Sequence, residues 1–232
     1  MKEECQFKDK KFYYDPDVFL PEFQREMFNE ETEARDEWWD IKEGETVVDV
    51  GAGTGSWALP AAIMGANTIA FECDQFRVNA LKANVACNPG MQMVIDPRGL
   101  YSRECELGMD TNSSSVMLQL GYQPQQRVKM TTLDKFYSEY TNLDNLDWLK
   151  VDVEGAELHV LAGAQNTITK YKPKIIVECH TFIVPDIDGM VLSMINRLGL
   201  FYKATSILNQ SKQGQLDLRS YSYPRLLFEP TK

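Results

Sequence analysis

Strand-like and helix-like segments alternate along the chain from about residue 45, and this alternation constrains the fold more than any other feature. Runs rich in β-branched residues are separated by stretches with helical spacing. The strand-like runs are TVVDV, TIAFEC, MQMVID, WLKVDV and KIIVEC, and the helical stretches are SWALPAAIMGA, FRVNALKANVAC and AELHVLAGAQNTITKY. Repeated βαβ units predict an α/β fold with a mainly parallel sheet and helices on both faces.

Three parts of the chain depart from this alternation. Residues 1–40 include PEFQREMFNEETEARDEWWD, whose spacing predicts an N-terminal helical extension that packs on a main domain of residues 41–232. Residues 97–134 have the composition of a turn-rich insertion with short strands. FYKATSI and YPRLLFE follow the helical IDGMVLSMINRLGL, and they predict an antiparallel edge at the C-terminal side of the sheet.

The composition limits the partners and the compartment. The 232 residues are 44% hydrophobic, which suffices for one sizeable core, and no apolar run has the length of a membrane span. The first residues are charged and aromatic, unlike a signal peptide, and the five cysteines form no CxxC pair, so we expect a cytoplasmic protein with reduced thiols. The net charge of -10 repels phosphates and disfavours a nucleic-acid substrate.

The segment VVDVGAGTGSW is the first candidate binding site. Gly51, Gly53 and Gly55 permit a tight strand-to-helix turn and let a ligand approach the backbone. The dinucleotide pattern G-x-G-x-x-G would require glycine where Ser56 stands. Asp49, two residues before the turn, would repel a pyrophosphate, so the segment favours a ligand with an amino group and a sulfonium charge.

Glu72 is the second part of this site. It closes the second predicted strand, where an acid suits the two ribose hydroxyls of a bound nucleoside. Dinucleotide and S-adenosylmethionine sites share this device, so a nicotinamide-dependent oxidoreductase stays an alternative. Structural interpretations are also open: a helix-capping acid for Asp49 and a solvated strand end for Glu72.

Acids and a histidine also follow the fourth and fifth of these strands. Asp152 and Glu154 end WLKVDVE, and Glu178 and His180 end KIIVECH. If the two strands are neighbours, these four side chains face one space, where a base could take the proton of an acceptor hydroxyl. A divalent cation held by Asp152, Glu178 and His180 is a second option that this chemistry does not require.

Two further polar residues nearby have simpler interpretations. Glu157 falls in the first turn of the next predicted helix, where an acid is stabilised by the helix dipole, and we interpret it as a capping residue. His159, inside that helix, is interpreted as structural. His180 on an apolar strand could likewise be only a satisfied edge histidine.

These segments together resemble the FkbM-type S-adenosylmethionine-dependent methyltransferases. The matching pieces are VVDVGAGTGSWALPAA, IAFECDQFRVNALKANVACN, TTLDKF, LKVDVEGAELHVLAGA and KIIVECH, in the family's order and over roughly residues 45–182. The resemblance implies a class I, Rossmann-like methyltransferase fold with a seven-stranded sheet. It also implies methyl transfer from S-adenosylmethionine, with S-adenosylhomocysteine as product, to a hydroxyl of a sugar, glycan or polyketide natural product.

The resemblance also assigns roles to residues. The acceptor would face Asp152, Glu154 and His180. The cofactor site would comprise Asp49, Gly51, Ala52, Gly53, Thr54, Gly55, Ser56 and Trp57 around the methionine portion, Glu72 and Cys73 at the ribose, Asp96 to Arg98 near the adenine, and Asp152. The chain departs from the family in GAGTGSW, where asparagine often follows GA, and in FECD, where proline is common in place of cysteine. A non-catalytic binding module with the same fold stays an alternative, and the acceptor, the metal dependence and the oligomeric state stay open.

Overall fold

The structure is a computed structural model that describes residues 2–18, 28, 35, 37–110, 115–117, 124, 126–140, 143–181, 183–198, 202–207 and 225–231. The strands, in chain order, are β1 (Glu3–Phe7), β2 (Lys10–Tyr14), β3 (Thr46–Val50), β4 (Asn67–Phe71), β5 (Met93–Asp96), β6 (Gly99–Leu100), β7 (Cys105–Asp110), β8 (Ser115–Met117), β9 (Gln126–Thr131), β10 (Trp148–Val151), β11 (Lys174–Glu178), β12 (Tyr202–Ile207) and β13 (Arg225–Pro230). The helices, in chain order, are α1 (Ala58–Ile63), α2 (Gln75–Ala86), α3 (Leu133–Glu139), α4 (Glu157–Ala162), α5 (Gln165–Tyr171) and α6 (Ile187–Arg197).

A seven-stranded sheet forms the centre of the fold, with the strand order β12-β13-β11-β10-β3-β4-β5. The strands from β11 to β5 pair in parallel, whereas β13 pairs antiparallel with both β11 and β12. The predicted α/β class, the mainly parallel seven-stranded sheet and its antiparallel C-terminal edge are confirmed. Because the parallel strands run in one direction, their carboxyl ends meet along one edge, and ligands of such sheets bind there.

Side chains that alternate along the strands build a core on each face of this sheet. Val48 and Val50 pack with residues of α3, α4, α5 and α6 on one face. Val47, Trp148 and Ile176 pack on the other face with α1 and with the β1–β2 hairpin. Since Asp49, Lys150 and Glu178 each lie two residues further along these strands, the second face also carries the charged residues of the carboxyl edge.

The N-terminal hairpin differs from the predicted helical extension of residues 1–40. The strands β1 and β2 pair antiparallel, and the buried Cys5, Phe7, Phe12 and Tyr14 alternate with more exposed neighbours. This spacing of two residues is that of a half-buried strand, and it excludes a helix at the start of the chain. The predicted helix of residues 21–40 lies largely outside the described residues, and the domain division at residue 40 stays a prediction.

The predicted turn-rich insertion contains a second sheet with the strand order β6-β9-β7-β8. It lies beside the carboxyl edge of the central sheet, since the Gln126 side chain donates a hydrogen bond to the Cys73 carbonyl (3.2 Å). The helix α3 follows this sheet and begins after Thr132, whose hydroxyl accepts a hydrogen bond from the Lys135 amide (3.0 Å). The insertion therefore stands next to the ends of the strands that carry the candidate site.

Residues 156–171 form two helices, α4 and α5, instead of the single predicted helix. The break falls at Gly163, where a Cβ atom would lie 2.0 Å from the Tyr101 carbonyl oxygen. Glycine is needed because another segment of backbone approaches it closely. Among the described residues, no helix has both the length and the apolar character needed to cross a membrane.

Candidate functional site

The glycine turn lies between β3 and α1 at the carboxyl edge. Gly51, Gly53 and Gly55 all have positive φ angles, of 75°, 56° and 104°. A Cβ atom on Gly51 would lie 1.7 Å from the Asp152 carbonyl oxygen, and one on Gly55 would lie 2.7 Å from Leu81. The turn therefore needs glycine both for its backbone conformation and for its contact with the two neighbouring segments.

Glu72 holds the glycine turn from the end of β4. Its carboxylate accepts hydrogen bonds from the amides of Gly53 and Asp74, each at 2.8 Å. The side chain is buried, and burial raises its pKa above the usual value. Each carboxylate oxygen can accept a second hydrogen bond, so Glu72 can hold the turn and still accept from ribose hydroxyls. It is not the solvated strand end that was the alternative interpretation.

The other residues predicted near the nucleoside lie at the ends of β4 and β5. The Glu72 amide donates to the Asp96 carbonyl (3.2 Å), which brings the two strand ends together. The Asp96 carboxylate binds the Arg98 guanidinium, with Nη2 to Oδ2 at 2.6 Å, and accepts from the Arg98 amide. The Cys73 thiol is partly buried, and burial raises its pKa to about 12, so it stays protonated.

A buried lysine joins the glycine-turn region to the second acidic cluster. Lys150 Nζ lies 3.3 Å from Asp49 Oδ1 and 3.2 Å from Asp152 Oδ2. Parallel pairing of β10 with β3 places Lys150 directly beside Asp49. The predicted cofactor acid Asp49 is thus fully buried in an ion pair, and this pair connects it to the predicted catalytic acid Asp152.

His180 lies at the centre of the predicted acceptor site and contacts three carboxylates. Its Nδ1 is 2.6 Å from Glu157, and its Nε2 is 3.3 Å from Glu154 and 3.7 Å from Asp152. Burial lowers its pKa, but the hydrogen bond that Nδ1–H donates to Glu157 and the charges of the carboxylates outweigh burial and raise the pKa to about 9. This pKa is well above that of an isolated imidazole, because three acids surround the ring. At pH 7 it is an imidazolium.

The two candidate catalytic acids have different environments. Burial acts to raise the pKa of Asp152, but the charges of Lys150, His180 and Arg225 hold it below its usual range. Burial raises the pKa of Glu154, an effect that the charge of His180 opposes and that of Asp152 reinforces. Glu154 also has a φ angle of 52°, which non-glycine residues rarely adopt and which is common at functional sites.

The predicted metal ligands lie close together, but each acid already has a cationic partner. Atoms of Asp152, Glu178 and His180 lie within 4.8 Å of one another. Glu178 accepts a hydrogen bond from the buried Arg225 (2.5 Å), its neighbour on β13, and Asp152 pairs with Lys150. A metal ion would have to displace the Lys150 ammonium, the Arg225 guanidinium and the proton of His180.

Sequence reasoning missed Lys150, Arg225 and the true position of Glu157. Glu157 is fully buried against His180, and its other bond comes from the Gly155 amide (3.0 Å), which precedes the helix. Since α4 has no side-chain cap, Glu157 is a buried partner of His180 and not the capping residue that we expected. The sequence did contain a signal for Lys150, which is a lysine inside the otherwise apolar WLKV. A buried lysine is almost always paired with an acid, so this position indicated an ion pair. His159 lies away from the cluster and stacks on Tyr101 with ring centroids 4.2 Å apart.

Solved structures support the fold. An FkbM methyltransferase from Methylobacillus flagellatus KT matches with a TM-score of 0.57 and 18% identity, over 84% of this chain and 46% of that one. Fibrillarin from Aeropyrum pernix, with natively bound S-adenosyl-L-methionine, matches with a TM-score of 0.53 and 11% identity, over 98% and 82% of the two chains. These likenesses confirm a class I methyltransferase fold.

Curated relatives and a family model give the closer relationship. The ribosomal protein L11 methyltransferase of Streptococcus pneumoniae serotype 4 (strain ATCC BAA-334 / TIGR4) is 27% identical over 141 residues, which are 58% of this chain and 45% of that protein. The chain thus spans less than half the length of that relative. The family model Methyltransferase FkbM domain matches residues 49–205, well over half of the chain. The chain belongs to the FkbM family of S-adenosylmethionine-dependent methyltransferases.

Proposed function

We propose that the protein transfers a methyl group to a hydroxyl of a sugar, a glycan or a related small natural product. The observation that carries the proposal is Glu154, a carboxylate with a raised pKa at the carboxyl edge, beside Asp152 and the charged His180. Such a carboxylate is suited to take a proton from an alcohol. The net charge of -10 favours a neutral acceptor over a polyanion such as nucleic acid.

The residues of the glycine turn fit S-adenosylmethionine, the cofactor of this family. A side chain at Gly51 would collide with the Asp152 backbone, so glycine here lets the turn pack closely against the segment after β10 that carries the acids of the site. Asp49 and Asp152 provide negative charge near the turn, which suits the amino group and sulfonium of the methionine portion. Glu72 offers acceptors for ribose hydroxyls, and Asp96 and Arg98 stand at the neighbouring strand end for the adenine.

Glu154 is the residue that we assign as the base. Its side chain is 31% exposed, compared with 19% for Asp152 and 1% for His180, so an acceptor reaches Glu154 first. When bound, the cofactor supplies an electrophilic methyl group. Glu154 would take the hydroxyl proton as the acceptor oxygen gains the methyl group, and S-adenosylmethionine, having given up that group, would leave as S-adenosylhomocysteine. Holding the oxygen about 3 Å from the methyl carbon supplies much of the rate.

His180 and Asp152 have supporting roles in this proposal. The imidazolium of His180 donates from Nδ1 to Glu157, and its Nε2–H faces Glu154 and Asp152. It thereby fixes the orientation of the base and balances part of the local negative charge. Lys150 and Arg225 balance Asp152 and Glu178, so the reaction does not need a divalent cation for this purpose.

The relatives suggest other acceptors, which the experiment must include. The names of the curated relatives state that they methylate ribosomal protein L11, and a carboxylate base could serve an amino group as well as a hydroxyl.

We infer a cytoplasmic location from the five cysteines, all within the described residues and none in a disulfide. The division of the chain into residues 1–40 and 41–232 belongs to the same proposal.

Labelled methyl transfer to a panel of acceptors tests the proposal. The panel holds sugars, glycans, hydroxylated natural products and ribosomal protein L11, with the S-adenosylmethionine methyl group as the label. We expect transfer to a hydroxylated carbohydrate or natural product, and a loss in kcat of about 10²- to 10⁴-fold for Glu154→Gln. Glu106→Gln, which removes an exposed acid of β7, is the matched control and should retain wild-type activity.

Four results would contradict the proposal. Transfer only to the protein acceptor would move the reaction to another substrate class. Cofactor binding without transfer to any acceptor would support the binding-module alternative, and a melting shift with a nicotinamide cofactor but none with S-adenosylmethionine would support the oxidoreductase. Full activity of both Glu154→Gln and Asp152→Asn would dismiss the carboxylate mechanism.

A further inference from the structure

Three backbone carbonyls in and after the glycine turn are each held by a side chain from elsewhere in the chain. The Thr54 carbonyl accepts from Asn84 Nδ2 at 2.9 Å. The Ser56 carbonyl accepts from Arg35 Nη1 at 2.6 Å, and the Trp57 carbonyl accepts from Trp39 Nε1 at 3.2 Å. We propose that Asn84, Arg35 and Trp39 are positioning residues for the cofactor turn, and that the N-terminal segment is thereby a working part of the cofactor site.

Asn84 connects the turn to the N-terminal hairpin. It is fully buried on α2, and while its amide nitrogen binds Thr54, its Oδ1 accepts from the Asp15 amide at 2.8 Å. Asn88, one helical turn further, binds both the amide and the carbonyl of Tyr13 (2.7 and 2.6 Å). The end of the hairpin is therefore anchored at α2, and only Asn84 of these two asparagines extends the anchor to the turn.

Arg35 and Trp39 make the second and third connections. The Arg35 guanidinium is buried, lies 5.6 Å from the Phe7 ring of the hairpin, and points its Nη1 at the Ser56 carbonyl. Trp39 packs edge-on against Trp57 (centroids 5.1 Å apart) and Trp148 (5.0 Å). Burial of a guanidinium and an indole N–H is unfavourable unless they are hydrogen-bonded, so these donors fix the carbonyls that they bind.

Fixing these carbonyls matters because the turn is rich in glycine. Each peptide group is rigid, so a bound carbonyl sets the orientation of the whole group. Glycines have more backbone freedom to lose than other residues, and a turn that is ordered before binding avoids that loss when the cofactor arrives. Losing one of the three bonds should therefore weaken cofactor binding and leave acceptor binding unchanged.

Two substitutions with matched controls test the inference by calorimetry with S-adenosylhomocysteine and S-adenosylmethionine. Trp39→Phe removes the indole donor but keeps an aromatic ring, and Trp38→Phe changes the adjacent, partly buried tryptophan. Asn84→Ala removes the links to Thr54 and to the Asp15 amide, and Asn88→Ala removes links to the hairpin and to the Asn84 carbonyl but none to the turn. We expect Kd to rise about 5- to 10-fold for Trp39→Phe and Asn84→Ala, in line with the loss of one buried hydrogen bond.

The controls separate positioning from a general loss of stability. Asn88→Ala should lower the melting temperature about as much as Asn84→Ala while its Kd stays within twofold of wild type, as should the Kd of Trp38→Phe. Unchanged Kd values for Trp39→Phe and Asn84→Ala, or an equal rise in both controls, would overturn the inference. If Asn84→Ala does not fold, Trp39→Phe decides alone. No acceptor is involved, so the result stands whether or not the proposed O-methylation is correct.

Discussion

Glu157, His180 and Glu154 form a row in which a buried carboxylate, a charged imidazole and a more exposed carboxylate contact in turn. The two ring nitrogens of His180 thus have different partners, and the deeper one is fixed by Glu157. If His180 became neutral with its proton on Nδ1, the lone pair of Nε2 would face the carboxylates of Glu154 and Asp152. The arrangement of the base therefore depends on the protonation of this histidine.

The first prediction concerns stability against pH. The pKa of His180 is raised from 6.5 in the unfolded chain to about 9 in the folded one, so its contribution is complete below about pH 6.5 and disappears as pH rises through 9. We expect urea unfolding to show a loss of up to about 3 kcal/mol between pH 6.5 and pH 9.5. His180→Gln should lack this part of the loss; an identical pH dependence in the variant would contradict the assignment.

The second prediction concerns activity against pH. Glu154 must be ionised to accept the proton and His180 must be charged to hold it in place, so kcat/KM should follow a bell-shaped profile. The acidic limb should reflect the raised pKa of Glu154, and the alkaline limb should fall near pH 9. His180→Gln should lose the alkaline limb. If that limb persists in the variant, another group is responsible for it.

The third prediction concerns Gly51. Gly51→Ala places a Cβ atom 1.7 Å from the Asp152 carbonyl oxygen at a positive φ, and it should abolish measurable binding of S-adenosylhomocysteine and lower the melting temperature. Gly44 also has a positive φ but has no atom within 4 Å of its Cβ position, so Gly44→Ala isolates the conformational cost of about 1 kcal/mol. Normal binding by Gly51→Ala would show that the turn does not have this conformation in solution.

At the level of secondary-structure elements, the pattern of apolar residues predicted the central sheet but not its surroundings. The strands β3, β4, β10 and β11 are short, apolar and separated by helices, which fixes their parallel pairing and hence the gathering of their acidic ends. The split between α4 and α5 was not predictable, because it depends on the backbone of Tyr101 from a distant segment. One partner of Lys150, Asp49, lies on another strand, so that ion pair was visible only from the register of β10 and β3.

The hairpin shows a second limit. Buried residues alternate along β1 and β2. Both strands are charged and aromatic in composition, like the segment with helical spacing that follows them, so the sequence did not distinguish the hairpin from that segment. Only the contact of Phe7, Phe12 and Tyr14 with the sheet face reveals why the alternation is there. The spacing of apolar residues indicates which side of a strand or helix is buried. It does not indicate which other element covers that side, because tertiary packing decides this.

The fourth prediction tests the start of α3, which leads from the insertion back to the central sheet. The Thr132 hydroxyl caps this helix, so Thr132→Ala should lower the free energy of unfolding by about 1 kcal/mol. Ser138→Ala, near the exposed end of the same helix, should change it by less than about 0.5 kcal/mol. Equal effects in urea unfolding would show that the cap does not contribute.

At the scale of the whole molecule, charge balance at the carboxyl edge bears on metal dependence. Lys150 and Arg225 already neutralise Asp152 and Glu178, and because the pKa of His180 is raised, a metal ion at pH 7 would have to displace the proton of that ring. The fifth prediction is that EDTA followed by gel filtration leaves methyl transfer within twofold of its initial rate. A loss that added Mg²⁺ or Mn²⁺ restores would contradict it.

The hairpin and the four-stranded insertion contact the central sheet through different residues. The hairpin packs on the face that carries Trp148 and Ile176, whereas the insertion packs with Ala156 and Val153 where the strands end. Substitutions in the hairpin can therefore accumulate without disturbing the insertion, and the reverse also holds. A lineage could therefore remodel its insertion and keep the packing of the hairpin, although the end of β4 at Cys73 would have to adapt to the new neighbour.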